Sequence, residues 1–564
     1  MSATRERTLE SIPGESVDSK STDQREDYPM KTAKKEVPGL SRRKFLYLSG
    51  LGIAGATLGG FPGSGNAQGR KPKYGGILRV GERYGSPGLD AHKNQMFMDM
   101  QNYLLMYNAL VIVGALPQVE IFPDLAKSWE ISNDGREYIF PLREGVKFHH
   151  GKELDSGDVK YSMERVMNPA TRSPLASAFR MVDSIEASDK YTVKIRLKEP
   201  FSPLLSSLTV RNCSIIPAGS QPTPIKPAPG TGPFVFKSIF PNETTEYTRF
   251  DKYWEVDENT GDRLPYLNGV YVKKIHEDII RWTGLRAGDF DYIQNPPRKV
   301  TIEEQKSPSP GCVVVLTQPV GCVWIFFNLS KSPFDNKKVR QAVAYALDKQ
   351  EVIKGAYWGL GETCNNQPFL NRSRMYVPVK DRETNVSKAK QLLAEAGYPN
   401  GFKTEMATHT ESAVVDACNI IGGQLKNIGI ETTIRTMDTV TWRDAVRKGD
   451  YFISTGSDSE RLDPDDSYYI RFHSSEIGGN NISKYSNKEM DRLLEQGRMS
   501  WRWEDRKAIY QKVVELNAED LAILYVSKSI QPIAYRDYVK GHEAGMSTWF
   551  GYNRGGMKKV WLEK

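Results

Sequence analysis

Apolar positions change period along the chain, and the changes predict its elements. Gly75-Gly76-Ile77-Leu78-Arg79-Val80 reads as a first strand, opening into a Gly- and Pro-rich loop over residues 81–90. Tyr138, Phe140 and Leu142 alternate, as do Val193, Ile195 and Leu197, so each set has one buried face. Ser132-Asn133-Asp134-Gly135 separates strand-like Trp129-Glu130-Ile131 from the first set, a hairpin signal because both turn positions tolerate positive φ. Residues 113–227 therefore read as a small mixed α/β unit, closed by the Pro- and Gly-dense stretch 222–233. Strands follow at 234–236, 247–250, 270–275, 313–316 and 324–327.

Further on the period becomes helical. Val339, Ala342, Val343, Ala346 and Leu347 share a face behind a cap at Asp335 or Asn336. Thr384 or Asn385 starts a second helix, with Ala389, Leu392, Leu393 and Ala396 inward and Gly397 stopping it. A third runs over 413–428 to Gly429, with strands at 431–435 and 451–455 after it. Two charged helices, 488–499 and 503–519, precede a closing strand at 523–526. Strands alternating with helices predict an open α/β sheet with helices on its faces.

The N-terminus obeys neither period. Residues 1–40 are polar and mixed in charge, and predict disorder. Ser41-Arg42-Arg43-Lys44-Phe45-Leu46 then resembles a twin-arginine export motif. A Gly- and Ala-rich apolar run follows, ending at a small-x-small site, Gly65-Asn66-Ala67. Residues 41–67 are thus read as a signal peptide, with Arg42 and Arg43 as its recognition pair and Ala67 before the cut. The expected mature form is soluble and periplasmic or extracytoplasmic, exported by the twin-arginine translocase. No later run reaches the roughly 18–20 apolar residues of a spanning helix.

The 564 residues suggest roughly three domains, or two large lobes, at about 100–200 residues per domain. Mean hydropathy is −0.52, so the bulk is soluble. The net charge of +8 is spread among acidic residues, which argues against nucleic acid as a partner. Cys213, Cys312, Cys322, Cys364 and Cys418 show no CxxC spacing, so no metal site is expected. Cys312 and Cys322 flank VVVLTQPVG; as two strands about a Gln-Pro turn they can form a disulfide, or remain two buried thiols.

Catalytic motifs are missing: no GxSxG in the mature chain, no HExxH and no GxxxxGK[ST]. Adjacent His149 and His150 point to opposite faces of a strand, so a structural turn is expected there. The acidic run Asp463-Pro464-Asp465-Asp466 lacks EF-hand spacing and reads as the start of a helix. No cofactor and no enzymatic activity are expected.

A series of short blocks carries a resemblance. Gly75-Gly76-Ile77-Leu78, Leu89-Asp90, residues 122–130 (FPDLAKSWE), Ser132-Asn133-Asp134-Gly135 and residues 138–149 (YIFPLREGVKFH) stand in order. Gly151-Lys152-Glu153-Leu154, residues 158–162, residues 230–234 (GTGPF), Tyr253-Trp254, Phe327-Asn328, Val339-Arg340-Gln341-Ala342, residues 388–393 and Ile428-Gly429-Ile430 continue them. Together they resemble family 5 extracytoplasmic solute-binding proteins, the oligopeptide, dipeptide or nickel type of ABC importers. The resemblance implies an α/β, two-lobed periplasmic-binding-protein fold (type II, the large three-domain variant) with a hinge and an inserted small domain. Lobe one would hold 71–107, 229–323 and 525–564; the inserted α/β domain 108–228; lobe two 324–524. The hinge would lie near 324–328 and 524–526.

The implied function is capture of a small solute, a peptide or related compound, between closing lobes. Implied partners are that ligand and the permease and ATPase subunits of the importer, with the protein itself a monomer. A ligand-sensing receptor without transport, or an exported hydrolase on the same fold, are the alternatives. In peptide binders of this family an acidic residue four positions before a proline pairs with the ligand ammonium; counting back from Pro464 gives Glu460, where such binders carry Asp, followed by Arg461. Arg461 can pair with Glu460 or grip a carboxylate or phosphate. On the other lobe Arg83, Tyr84, Gly85 and Ser86 follow the first strand and would line the cleft; in lobe two, so would Thr408 and His409. Trp442 is read as core.

Overall fold

Three sheets organise the protein in a computed structural model that describes residues 71–564, apart from 94–96, 115–119, 318, 320, 372, 460–462 and 543–555. The expected polar extension 1–40 and signal peptide, with Arg42, Arg43 and Ala67, lie outside the described residues, as do Glu460 and Arg461. No helix among the described residues is long and apolar enough to cross a membrane.

The first sheet has seven strands, in the order Cys312–Val315, Ile533–Arg536, Tyr292–Gln294, Ile77–Glu82, Gly269–Lys274, Thr244–Arg249 and Phe234–Phe240. Its first strand alternates as expected: Leu78 and Val80 are fully buried on one face with Val270 and Tyr247. Trp282, Leu285, Phe290 and Ile293 form a separate cluster with Ala534. The second sheet has six strands, in the order Gly361–Thr363, Ile523–Ser529, Gly321–Phe327, Ile453–Ser459, Phe402–His409 and Ile430–Met437. Helices cover both of its faces, and two cores result, one around Ile325, Phe327 and Val343 and one around Trp324, Phe326 and Tyr525. The third sheet, of four strands between Glu130 and Leu197, packs on the helix Ser156–Met167, whose start carries a reciprocal capping box of Asp155 and Asp158.

The chain leaves the seven-stranded sheet after Val315 to enter the six-stranded one at Gly321, and returns between Ser529 and Ile533. The resemblance placed these crossings at 324–328 and 524–526, inside what proves to be sheet. The cause is visible in burial: all seven positions of Gly321–Phe327 and of Ile523–Ser529 are buried. A strand covered on both faces loses its alternation, and with it the sequence mark of its ends. Cap residues were more legible. Asn336 and Asn385 cap the helices Lys337–Ala346 and Val386–Glu395, and Gly135, Gly397 and Gly429 adopt positive φ where turns or stops were expected.

The suggested Cys312–Cys322 bridge is corrected by topology. Cys312 pairs with Arg536 in the seven-stranded sheet, whereas Cys322 pairs with Lys528 and Asp458 in the six-stranded one. The segment between them is a crossing between sheets, not a hairpin turn, and all five cysteines are thiols.

His149 and His150 do sit in a turn. The His149 Nε2–H donates to the Gly232 carbonyl at 3.0 Å, and Nδ1 accepts from the Gly230 N–H at 3.2 Å. The strap it holds runs against the end of the Phe97–Met106 helix, where the Gly232 N–H donates to the Met106 carbonyl. A Cβ at Gly230 would lie 1.9 Å from that same oxygen, so glycine is obligatory there.

Candidate functional site

The first strand delivers Arg83 and Tyr84 at its C-terminal end, the usual place for a ligand in an α/β sheet. The loop is pressed against the turn of the neighbouring hairpin. A Cβ at Gly85 would meet the Asn242 backbone at 2.5 Å, and the Asn242 N–H donates to the Ser86 carbonyl at 2.9 Å. Ser86 is buried, and its hydroxyl closes a turn with Gly88. Gly85 and Ser86 thus shape the loop, while Tyr84 is 41% exposed. The Arg83 guanidinium lies 5.0 Å over the Tyr84 ring, and His276 meets that ring edge-on. His276 is itself braced by buried Arg281, which donates to the carbonyls of Ile275, His276, Gln294 and Asn295.

From the six-stranded sheet, Phe402–His409 brings its last residue to the corresponding edge. Thr408 is fully buried and its hydroxyl accepts from Thr455, so it serves the interior rather than a surface. His409 packs edge-on against Trp442, whose indole N–H donates to Ser454 at 3.0 Å; Trp442 is core, as read. Burial depresses the His409 imidazole; the Glu411 charge opposes this, while Arg443 and Arg83 add to it. Burial raises the Tyr84 phenol; Arg83 lowers it and Glu411 raises it again.

Arg83 belongs to one half and His409 to the other; Tyr84 and Glu411 repeat the relation in reverse. Charge on each edge therefore acts on the other. A direct contact joins them as well. The guanidinium of Arg298, from the helix Arg298–Lys306 in the first half, lies 5.3 Å over the ring of Tyr357, from the helix Lys349–Tyr357 in the second. The Tyr357 hydroxyl and the Trp324 indole N–H are buried without a hydrogen-bond partner among the described residues. A bound molecule or ordered water can satisfy such groups.

The sequence did not point to Arg298, Tyr357 or Glu411. Each lies at a helix terminus, with no motif around it, and only the approach of the two halves gives it a role. The loop expected to carry Glu460 and Arg461 is described on its downstream side. Asp463 caps the helix Pro464–Phe472, and its carboxylate is held by Arg506, at 2.8 Å to Nη1. Asp465 pairs with Arg498 at 2.9 Å. A groove of about 620 Å³ lies elsewhere, lined by Arg79, Tyr271, Lys273, Ile279, Ile280 and Asp289. It is bounded by the first half alone, so closure of the halves cannot enclose a ligand there.

Residues 120–480 match the family model of bacterial extracellular solute-binding proteins, family 5 Middle. The chain belongs to that family. It is 30% identical over 483 residues to heme-binding protein A of Haemophilus influenzae, covering 79% of this chain and 85% of that one. Its fold is similar to that of DppA, an ABC transporter-associated periplasmic binding protein from Helicobacter pylori solved with the peptide STSA. The TM-score is 0.75 at 27% identity, over 87% of this chain and 99% of the other. The binding protein AgaA from A. tumefaciens R10, solved with agropinic acid, aligns at TM-score 0.73 and 26% identity, over 87% and 99% of the two chains. This family-5 chain therefore has the two-lobed α/β fold of a periplasmic binding protein, and its relatives bind solutes rather than transform them.

Proposed function

We propose that the protein captures a small solute, a peptide or related compound, in the cleft between its two halves and delivers it to an ABC importer. The observation that carries this is the contact of Arg298 with Tyr357 across the two halves, with Arg83 and Tyr84 at the end of one strand and His409 and Glu411 at the end of another, near enough to influence one another electrostatically. A ligand held by both edges favours the closed arrangement by its differential contacts. The edges offer guanidinium groups, one carboxylate and aromatic faces. That set suits a compact zwitterionic or carboxylate-bearing molecule, and the relatives' heme, peptide and agropinic acid show how far the family's ligands range. The partners are then a membrane permease pair and its ATPase.

The deciding experiment has two stages. Mass spectrometry of small molecules released from the denatured protein identifies the ligand, and titration calorimetry then ranks variants. Arg83→Ala, Tyr84→Ala and Glu411→Gln are each expected to weaken binding about tenfold, or about 1.4 kcal/mol, without loss of fold. Unchanged affinity in all three would remove this cleft from consideration. Small-angle scattering should also show a smaller radius of gyration on binding. Export through the twin-arginine route rests on Arg42-Arg43 and the Gly65-Asn66-Ala67 exit. N-terminal sequencing of protein recovered outside the cytoplasm is expected to begin at Gln68; an intact Arg42-Arg43 would end that part of the proposal.

A further inference from the structure

Cys322 and Cys364 are 42 residues apart in the chain and meet inside the six-stranded half, with their sulfurs 3.8 Å apart. Cys322 is the second residue of Gly321–Phe327, and Cys364 directly follows Gly361–Thr363. The strand Ile523–Ser529 runs between them, and its pairing with Gly321–Phe327 shifts register at Val323/Trp324. Both residues are buried, at 2% and 0% exposure. The backbone on the Cys364 side is pinned from two directions. Its N–H donates to the Val526 carbonyl at 3.1 Å, and its carbonyl accepts from the Lys349 ammonium at 2.7 Å, which also holds Asp381. The other three cysteines are occupied elsewhere: Cys213 donates to the Ser207 carbonyl, Cys312 lies against Arg536, and Cys418 bonds Thr455.

We propose that Cys322 and Cys364 are a disulfide-forming pair, joined after export, once the folded chain is in an oxidising compartment. A disulfide needs sulfurs about 2.05 Å apart, so the pair must close by about 1.8 Å, and with the strand Ile523–Ser529 between their backbones the edge segment carrying Cys364 has to move in as well. In the exchange, one thiolate attacks a small-molecule or protein disulfide and expels one of its sulfurs as thiolate. The second cysteine attacks the mixed disulfide, forms the Cys322–Cys364 bond and expels the other sulfur. Two electrons pass to the oxidant, which leaves as two thiols carrying the two protons.

Burial pushes the Cys322 thiol up, so thiolate is scarce once the fold is complete. Oxidation therefore follows opening of the three-residue edge strand Gly361–Thr363, which also lets Cys364 approach Cys322. Thr363 and Asn365, on either side of Cys364, border a cavity of about 290 Å³ by which a small disulfide can approach.

The test uses the full chain, unfolded with reductant, refolded with reduced and oxidised glutathione, then denatured and alkylated with iodoacetamide. Three alkylated cysteines and a protease fragment linking Cys322 to Cys364 are expected, and Cys322→Ser should raise the alkylated count to four. Should the chain not refold, the same alkylation on protein recovered from outside the cytoplasm carries the test. Five alkylated cysteines, or a link involving Cys213, Cys312 or Cys418, would overturn the pairing. The readout is independent of what the cleft binds.

Discussion

Replacing Arg506 by leucine is expected to cost about 3–5 kcal/mol of stability, because it strands a buried carboxylate. Asp463 and Arg506 are 5% exposed each, and two hydrogen bonds join them. Burial alone would depress the Arg506 guanidinium, yet Asp463 beside it reverses the shift and leaves it raised. The guanidinium also donates to the Gly497 carbonyl at 3.0 Å, tying the helix Trp503–Asp520 to the helix Lys488–Met499. Adding Asp463→Asn removes the stranded charge and keeps an acceptor for the Asp465 N–H. The double variant should therefore recover about 2 kcal/mol of the loss, a coupling that urea titration of the four proteins of a double-mutant cycle would measure. An Arg506→Leu variant within 1 kcal/mol of the parent would show that water reaches the pair.

Local chemistry was the legible part of this fold. Asn336, Asn385, Gly397 and Gly429 announce helix ends because a cap or a positive φ needs a particular residue type, whatever lies further away. The Asp134-Gly135 hairpin was readable for the same reason. Pairing partners were not readable. Cys312 and Cys322 looked like the arms of a hairpin, and nothing within ten residues of them records that one strand pairs with Ile533–Arg536 and the other with Ile523–Ser529. Of the expected residues, Arg83 and Tyr84 follow one strand and His409 ends another, whereas Ser86 and Thr408 use their hydroxyls inside the fold. A residue at the end of a strand can face the cleft or turn back into the protein, and only packing decides which. Arg298 and Tyr357 meet across 59 residues of sequence and carry no motif.

Acid should loosen the protein, since burial holds several of its histidines neutral. Burial lowers His149, His92 and His542 each to about 4. For His149 the geometry requires this: Nε2–H donates to Gly232 and Nδ1 must stay unprotonated to accept from Gly230. The unfolded chain, with histidine near 6.5, binds more protons than the folded one between pH 6.5 and 4. Stability therefore rises with pH through that window and is lost on acidification, by about 2 kcal/mol per histidine at pH 5. Buried Asp124 and Asp465 oppose the trend toward its lower end, because burial raises both and protonation relieves them. Urea midpoints at pH 7 and pH 5 should differ accordingly, and His149→Gln should remove about 2 kcal/mol of the difference. A His149→Gln protein with the parent's full pH dependence would mean that the imidazole gains its proton without releasing the Gly230–Gly232 strap. That strap leads from the four-stranded domain into the seven-stranded sheet beside Met106, so protonating His149 loosens the junction between them.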